Sequence, residues 1–356
     1  MLDTITTFLK TTGVFKMIAG ADGVVTTDDI VPILQYLAMY LIVGVLFYLA
    51  IVKKFEPLLL MPIAFGMLLA NLPGANLIHL DYFFDNYYVE TYPEQYKAFV
   101  EAGGHVPMTR IIEEVINNGG LIDILYLGVK LGIYPSLIFL GVGAMTDFSP
   151  LIANPKSLLM GAGAQLGVFV AFFGAVVSGV FTPAEAGAIG IIGGADGPTA
   201  ILVTKELAPH LLGAIAIVAY SYMALIPIIQ PPFMKLLTTK KEREIKMTNL
   251  RPVSRIEKVL FPILVTLIVC LLVPDAAPLV GFLMLGNLFN VSGVADRLSK
   301  TAQNELINIV TICLGVSVGA TANAENFLKA ETLLIIGLGL CAFAVSTCGG
   351  LITGKI

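Results

Sequence analysis

Ile189-Gly-Ile-Ile-Gly-Gly-Ala-Asp-Gly-Pro-Thr-Ala-Ile-Leu202 is an apolar stretch broken at its centre by glycines, a carboxylate and a proline. If it lies in a membrane, Asp196 is an ionisable group at depth, costly enough to mark an ion or proton site by default. Composition supplies the membrane. Of 356 residues, 57% are hydrophobic and 13% charged, with a mean hydropathy of +0.88, whereas soluble domains carry about 25% charged residues. The fold class is all-α, a polytopic integral membrane protein, because helices keep every backbone hydrogen bond within the segment. A formal charge of -4 without a basic stripe interleaved with aromatics argues against nucleic-acid binding. Cys270, Cys313, Cys341 and Cys348 lie in apolar runs without disulfide or metal spacing.

Outward from the central stretch, apolar segments run over 33–52, 57–72, 131–145, 158–181, 186–203, 211–230, 259–273, 278–289, 306–319 and 332–352. About 20 apolar residues cover the hydrocarbon core, so several span comfortably and others are short. Residues 1–18 read as an interfacial amphipathic helix. Residues 73–129 form a polar insert with eight acids against Lys97 and Arg110, rich enough in tyrosine and phenylalanine for a small ordered cap. Residues 235–258 carry eight basic side chains against Glu242, Glu244 and Glu257, which places that loop in the cytoplasm.

Lys53 and Lys54 also belong in the cytoplasm, yet full crossings by every later segment would put 235–258 outside. One segment therefore does not cross. The foremost candidate is 186–203, where Gly193, Gly194, Gly197 and Pro198 would break the helix into halves that meet inside protein, with a different segment as the alternative. The expectation is a broken or re-entrant helix around Asp196. Leu140-Gly-Val-Gly-Ala followed by Asn154-Pro-Lys-Ser-Leu-Leu resembles Leu314-Gly-Val-Ser-Val followed by Lys329-Ala-Glu-Thr-Leu-Leu, and Asn71-Leu-Pro-Gly74 stands like Asn290-Val-Ser-Gly293. With one segment not crossing, the halves come out as inverted repeats, the plan of many ion-coupled transporters. The expected organisation is an N-terminal interfacial segment (1–30), repeat 1 (31–205) containing the insert, a linking helix and basic loop (206–258), and repeat 2 (259–356).

At the break, Asp196 offers a hard oxygen and compensating charge to sodium or a proton, with Thr199 and the carbonyls of Gly193 and Gly194 as co-ligands. The alternative is a capping aspartate in a Gly-Pro turn at the membrane surface. Ser221 and Tyr222, in the next segment, could face Asp196, or Tyr222 could be a structural hydrogen-bonder. Asp147, in Thr146-Asp-Phe-Ser149, is a lip residue or a helix cap. His79, His105 and His210 lack metal spacing and read as solvated. Gly337-Leu-Gly-Leu-Cys-Ala342 imitates a dinucleotide fingerprint, but without a preceding strand it reads as close helix packing. No phosphate-binding P-loop is present to support direct ATP drive.

Gly193-Gly-Ala-Asp-Gly-Pro-Thr199, Ala219-Tyr-Ser-Tyr-Met-Ala-Leu-Ile-Pro227, Gly141-Val-Gly-Ala-Met-Thr-Asp147 and Asn304-Glu-Leu-Ile-Asn-Ile-Val310 together resemble the beta subunit of the biotin-dependent, sodium-pumping decarboxylases. The resemblance runs from about residue 31 to the C-terminus and weakens over 76–123. It implies a subunit that decarboxylates carboxybiotin presented by a partner carrier domain, exports sodium and consumes a proton. Asp196 resembles the family's intramembrane sodium-binding aspartate, and Tyr222 its proton- and sodium-linked tyrosine. Also implied are a carboxyltransferase alpha subunit, a biotin carrier subunit, a small gamma or delta membrane subunit, homo-oligomerisation and a bacterial cytoplasmic (inner) membrane. Neither Met234-Lys-Leu nor Ile245-Lys-Met has the context of a biotinyl lysine, so biotin comes from a partner. The sequence ends at Gly354-Lys-Ile, where the family has a second break with asparagine and serine ligands, so the other half of the site is expected beyond Ile356. A sodium-coupled solute carrier without an enzyme partner is the alternative function, and a passive membrane scaffold would make Asp196 dispensable.

Overall fold

A computed structural model describes residues 8, 10–19, 30–94, 96–97, 106–246 and 251–356. The expected interfacial helix at 1–18 lies partly outside these residues, as do His105 and residues 247–250 of the basic loop. Among the described residues every regular element is helical. Among the described residues four stretches are long and apolar enough to cross a membrane: Val31–Val52, Pro155–Val177, Asp296–Ala320 and Ala330–Lys355. Two bent pairs raise the number to six, and the chain is a multi-pass, all-α membrane protein.

The chain divides into two compact units, Met1–Leu131 with Cys313–Leu333 and Gly132–Ile312 with Leu334–Ile356. In chain order the helices that matter are α1 Ile30–Phe47, α2 Pro57–Ala70, α3 Met108–Asn118, α4 Leu121–Lys130, α5 Ile133–Met145, α6 Leu166–Val177 and α7 Pro183–Gly190. Then come α8 Gly197–Leu207, α9 Leu212–Leu237, α10 Arg255–Leu272, α11 Ala277–Ser292, α12 Ile307–Ala320 and α13 Ala330–Lys355.

Within the first unit, α2 packs on α12 through glycine. A Cβ on Gly66 would lie 2.2 Å from the Val316 carbonyl oxygen, and one on Gly319 2.1 Å from that of Ile63. Lipid is as apolar as leucine, so helices in a bilayer associate through such close approaches and interhelical hydrogen bonds. Asn71, fully buried at the end of α2, donates its amide to the carbonyls of Met67 and Ala322, each at 2.7 Å.

The polar insert folds around two of its own acids. Glu114 on α3 is buried and accepts from Tyr87 at 2.9 Å, Tyr92 at 3.3 Å and Asn118 at 2.7 Å. Burial and the bond to Glu114 push the Tyr87 phenol up to about 12. Asp123, with no exposed side chain, takes the backbone N–H of His79 at 2.7 Å, that of Gly120 at 2.8 Å and the His79 ring Nδ1 at 2.9 Å. His79, expected to be solvated, is thus hydrogen-bonded to Asp123 and stacked on Tyr82. A buried carboxylate needs such partners, and it found one 44 residues away.

In the second unit the dominant crossing is α5 on α11. A Cβ on Gly143 would meet the Leu283 oxygen at 1.8 Å, and one on Gly286 the Leu140 oxygen at 1.9 Å. Asn287 donates to the carbonyls of Thr146 at 2.8 Å and Gly143 at 3.3 Å, and Gln303, in a π-helical turn at Ala302–Leu306, to that of Ala144 at 2.7 Å. The last carbonyls of a helix have no internal donors, so these amides cap α5. Helix α10 starts at a capping box, with the Ser254 N–H donating to Glu257 at 2.8 Å and the Glu257 N–H to the Ser254 hydroxyl at 3.3 Å. Arg251 on Glu257 and the Ser254 donors hold that carboxyl down to about 2.

Candidate ion site at the broken helix

The 186–203 segment is two short helices with a break between them. Thr182 opens α7 with a capping box to Glu185, and Pro183 occupies the first turn, where its missing N–H is harmless. After Gly190 the chain tightens into a 3-10 turn, Ile191–Gly194. Ala195 then takes a left-handed conformation at φ 55, unusual for a residue with a Cβ, and Asp196 is extended and N-caps α8. Legs of 8 and 11 residues reach about 12 and 16 Å at about 1.5 Å per residue, short of the ~30 Å core.

Both ends of this hairpin lie together. His210, just past α8, pairs through Nε2 with Glu185 Oε1 in the first turn of α7 at 2.7 Å, so it too is engaged rather than merely solvated. Thr182 donors and His210 hold the Glu185 carboxyl below the usual carboxylate range. The two legs therefore form a hairpin whose open end is closed by this pair. Its tip packs tightly: a Cβ on Gly193 would lie 2.4 Å from the Gly167 carbonyl carbon, and Gly167 stands near the middle of the apolar Pro155–Val177 helix.

At the tip, Asp196 accepts the Thr199 N–H at 3.3 Å and the Thr199 hydroxyl at 2.5 Å. It is thus a cap, one of the two expected roles, and it is half-buried. A carboxylate has about four acceptor sites, so capping leaves it able to bind a cation. The end of α7 supplies carbonyls freed by the break. Gly193 and Gly194 play different parts: Gly193 permits backbone contact with α6, while Gly194 faces Gln165, whose Oε1 lies 3.7 Å from where a Cβ would stand. Gln165 carried no sequence signal, being one amide in a run of small apolar residues. Around the tip Ile189, Ile192, Ala200, Ala219 and Phe343 form a buried apolar cluster.

Tyr222 does not bond Asp196 in this structure. Its hydroxyl donates to the Ile336 carbonyl, and its ring fills the space that a Cβ on Gly339 would enter at 2.5 Å. Of the glycine pair in the imitation fingerprint, Gly339 is thus a packing glycine, whereas a Cβ on Gly337 would meet nothing within 4 Å. Ser221 is half-buried on the same turn. The tyrosine against the site is Tyr220, whose ring atom Cε1 lies 2.5 Å from a Cβ placed on Gly197. Asp147 stands at the end of α5 beside Lys258 and accepts the Ser149 N–H at 2.9 Å and hydroxyl at 2.6 Å.

No group of three His, Cys, Asp or Glu side chains suited to a metal occurs among the described residues. One carboxylate among neutral oxygens suits a monovalent cation, because divalent ions in protein sites take several carboxylates or carbonyls. An ionisable group at a helix break among apolar helices is the arrangement found in membrane proteins that move ions. The chain belongs to the family of Na+-transporting oxaloacetate decarboxylase beta subunits, whose description matches residues 35–356. It is 58% identical over 317 residues to methylmalonyl-CoA decarboxylase subunit beta of Propionigenium modestum, covering 89% of this chain and 77% of the relative. Glutaconyl-CoA decarboxylase subunit beta of Acidaminococcus fermentans is 52% identical over 320 residues, 90% of this chain and 75% of that one. The oxaloacetate decarboxylase beta chain of Klebsiella pneumoniae is 48% identical over 343 residues, 89% and 79%. The chain is thus a membrane subunit of a sodium-transporting decarboxylase, and as a beta subunit it works with other chains.

Proposed function

We propose that this chain decarboxylates carboxybiotin, carried to it by a partner domain, and couples that reaction to sodium export through Asp196. The observation that carries the reading is a carboxylate at the tip of a helical hairpin whose two ends are paired and whose turn packs against the middle of the apolar Pro155–Val177 helix. Decarboxylation breaks the N–C bond of the carboxylated ureido ring, releases carbon dioxide and leaves a nitrogen that takes up a proton. Asp196 holds either sodium or a proton, so a proton delivered to the site displaces the ion. Thr199 and the Gly193 and Gly194 carbonyls complete the oxygen shell on the hairpin side, with Ser221 on the neighbouring helix, while Tyr222 is turned to Ile336. Moving one charge outward against 100 mV costs about 2.3 kcal/mol, a modest load per ion for a decarboxylation.

The basic 235–258 loop is the face for the carrier. Its Lys240, Lys241 and Lys246 are exposed, while Glu242 is occupied by Lys355 at 3.0 Å and Glu257 by Arg251 at 3.0 Å. The partners in this reading are a carboxyltransferase alpha subunit, a biotin carrier and a small gamma or delta subunit, in a bacterial cytoplasmic membrane. Sodium uptake into inverted vesicles containing the whole complex tests it. Asp196→Asn is expected to abolish decarboxylation-driven uptake, and normal uptake by that variant would sink the assignment.

A further inference from the structure

Tyr220 is 2% exposed, and its hydroxyl has no hydrogen-bond partner among the described residues. Buried hydroxyls almost always have one, so an orphan asks for an explanation. Asn71 Oδ1, Arg110 Nε and Thr204 Oγ1 are the other buried side-chain atoms in this condition, and of the four groups Tyr220 is the one packed against the residue that follows Asp196. It also lies within electrostatic reach of the Asp196 carboxylate.

Helix geometry explains how it came there. Successive residues turn by about 100°, so Tyr220 and Tyr222 point about 200° apart. Tyr222 turns to α13 and spends its proton on the Ile336 carbonyl, while Tyr220 turns to α8. Gly197 is the matching feature, since any side chain there would collide with the Tyr220 ring. The Asp-Gly-Pro break and the tyrosine are therefore fitted to each other.

We propose that the Tyr220 hydroxyl oxygen is a ligand of the cation held at Asp196. The proposal rests on Asp196 being the sodium site. A neutral phenol suits this role: its oxygen lone pair faces the ion, which gives the orphan hydroxyl a partner.

The test uses the purified decarboxylase complex, reading the sodium concentration for half-maximal decarboxylation and the thermal stabilisation by sodium chloride over choline chloride. Tyr220→Phe is expected to raise half-saturating sodium at least about tenfold, about 1.4 kcal/mol, and to weaken the sodium-specific stabilisation correspondingly, with turnover recovered at high sodium. An unchanged sodium dependence with equal or higher stability would overturn it, because removing an orphan hydroxyl from an apolar site costs nothing. Should the variant not fold, 3-fluorotyrosine at position 220 keeps the shape with a poorer donor oxygen. A smaller rise in half-saturating sodium supports the proposal there, and no rise refutes it. Asp196→Asn separates the two readings. If it retains sodium-specific stabilisation, the Asp196 site itself is wrong; if it loses it while Tyr220→Phe behaves as the parent, the ligand role of Tyr220 alone is wrong.

Discussion

The crossing of α2 with α12 in the first unit and that of α5 with α11 in the second are built from the same parts. In each, glycines bring backbone to backbone, and an asparagine on one helix donates its amide to carbonyls at the end of the other. They fall on the two stretches of like sequence, Leu140–Ala144 on α5 and Leu314–Val318 on α12. The difference lies at the ends. Helix α12 runs into Thr321 and Ala322, which are buried, and its clamp is the fully buried Asn71. Helix α5 runs into the exposed turn of Asp147, with Gln303 reinforcing Asn287. One design thus ends once in a neutral, dry corner and once in a charged, wet one. Close approach and amide–carbonyl bonds, which lipid does not compete for, are what such crossings share.

The sharpest way to break the likeness is to fill the glycines. Gly143→Ala sets a methyl 1.8 Å from a backbone oxygen, and Gly66→Ala 2.2 Å from one. Overpacking typically costs about 1–3 kcal/mol, and backbone, unlike a side-chain tip, has little room to yield. Gly143→Ala is expected at or above the top of that range and Gly66→Ala below it, read from thermal melts in detergent. Equal losses would mean that the crossings yield alike despite their different clearances.

A smaller effect separates the clamps. Asn287→Leu leaves carbonyls of α5 unpaired, a loss of about 1–3 kcal/mol. Asn71→Leu also strands carbonyls, but it removes Oδ1, which is buried without a partner, so its net cost is expected to be the smaller of the two. The reverse order in the same melts would show that Asn71 Oδ1 has a partner in the native membrane.

The break at 191–196 was legible because glycine placement is a property of the chain: Gly193, Gly194, Gly197 and Pro198 crowd one apolar segment, and the helix ends there. Asp196 was legible for the same reason, as a carboxylate with apolar flanks. What could not be read was phase. Residues 217–220 and 222 are all buried, so the α9 sequence has no polar side to say which tyrosine meets Asp196. The partners of His79 and His210 were equally hidden, since Asp123 and Glu185 lie 44 and 25 residues away and no local pattern links them. Gln165 needed the close packing of α6 on the tip before its amide meant anything.

The smallest predicted effect sharpens the wet end against the dry one. Asp147 is held below the usual carboxylate range, first by the Ser149 hydroxyl, then by the Ser149 N–H, with Lys258 adding to them. A carboxyl whose folded value is depressed stabilises the fold above its unfolded value and loses that contribution as pH falls through the folded one. The turn after α5 is therefore intact near neutrality and opens on acidification below about pH 4, the range where free aspartate titrates. Amide hydrogen exchange of Ser149, corrected for the intrinsic pH dependence, is expected to lose protection there. At the end of α12 the Thr321 hydroxyl bonds the Val318 carbonyl at 2.7 Å, a pairing with no group that titrates, so protection of the Thr321 amide stays level across the same range. Parallel loss at both ends would mean that acid acts on the whole fold and that the charged turn has no separate share in it.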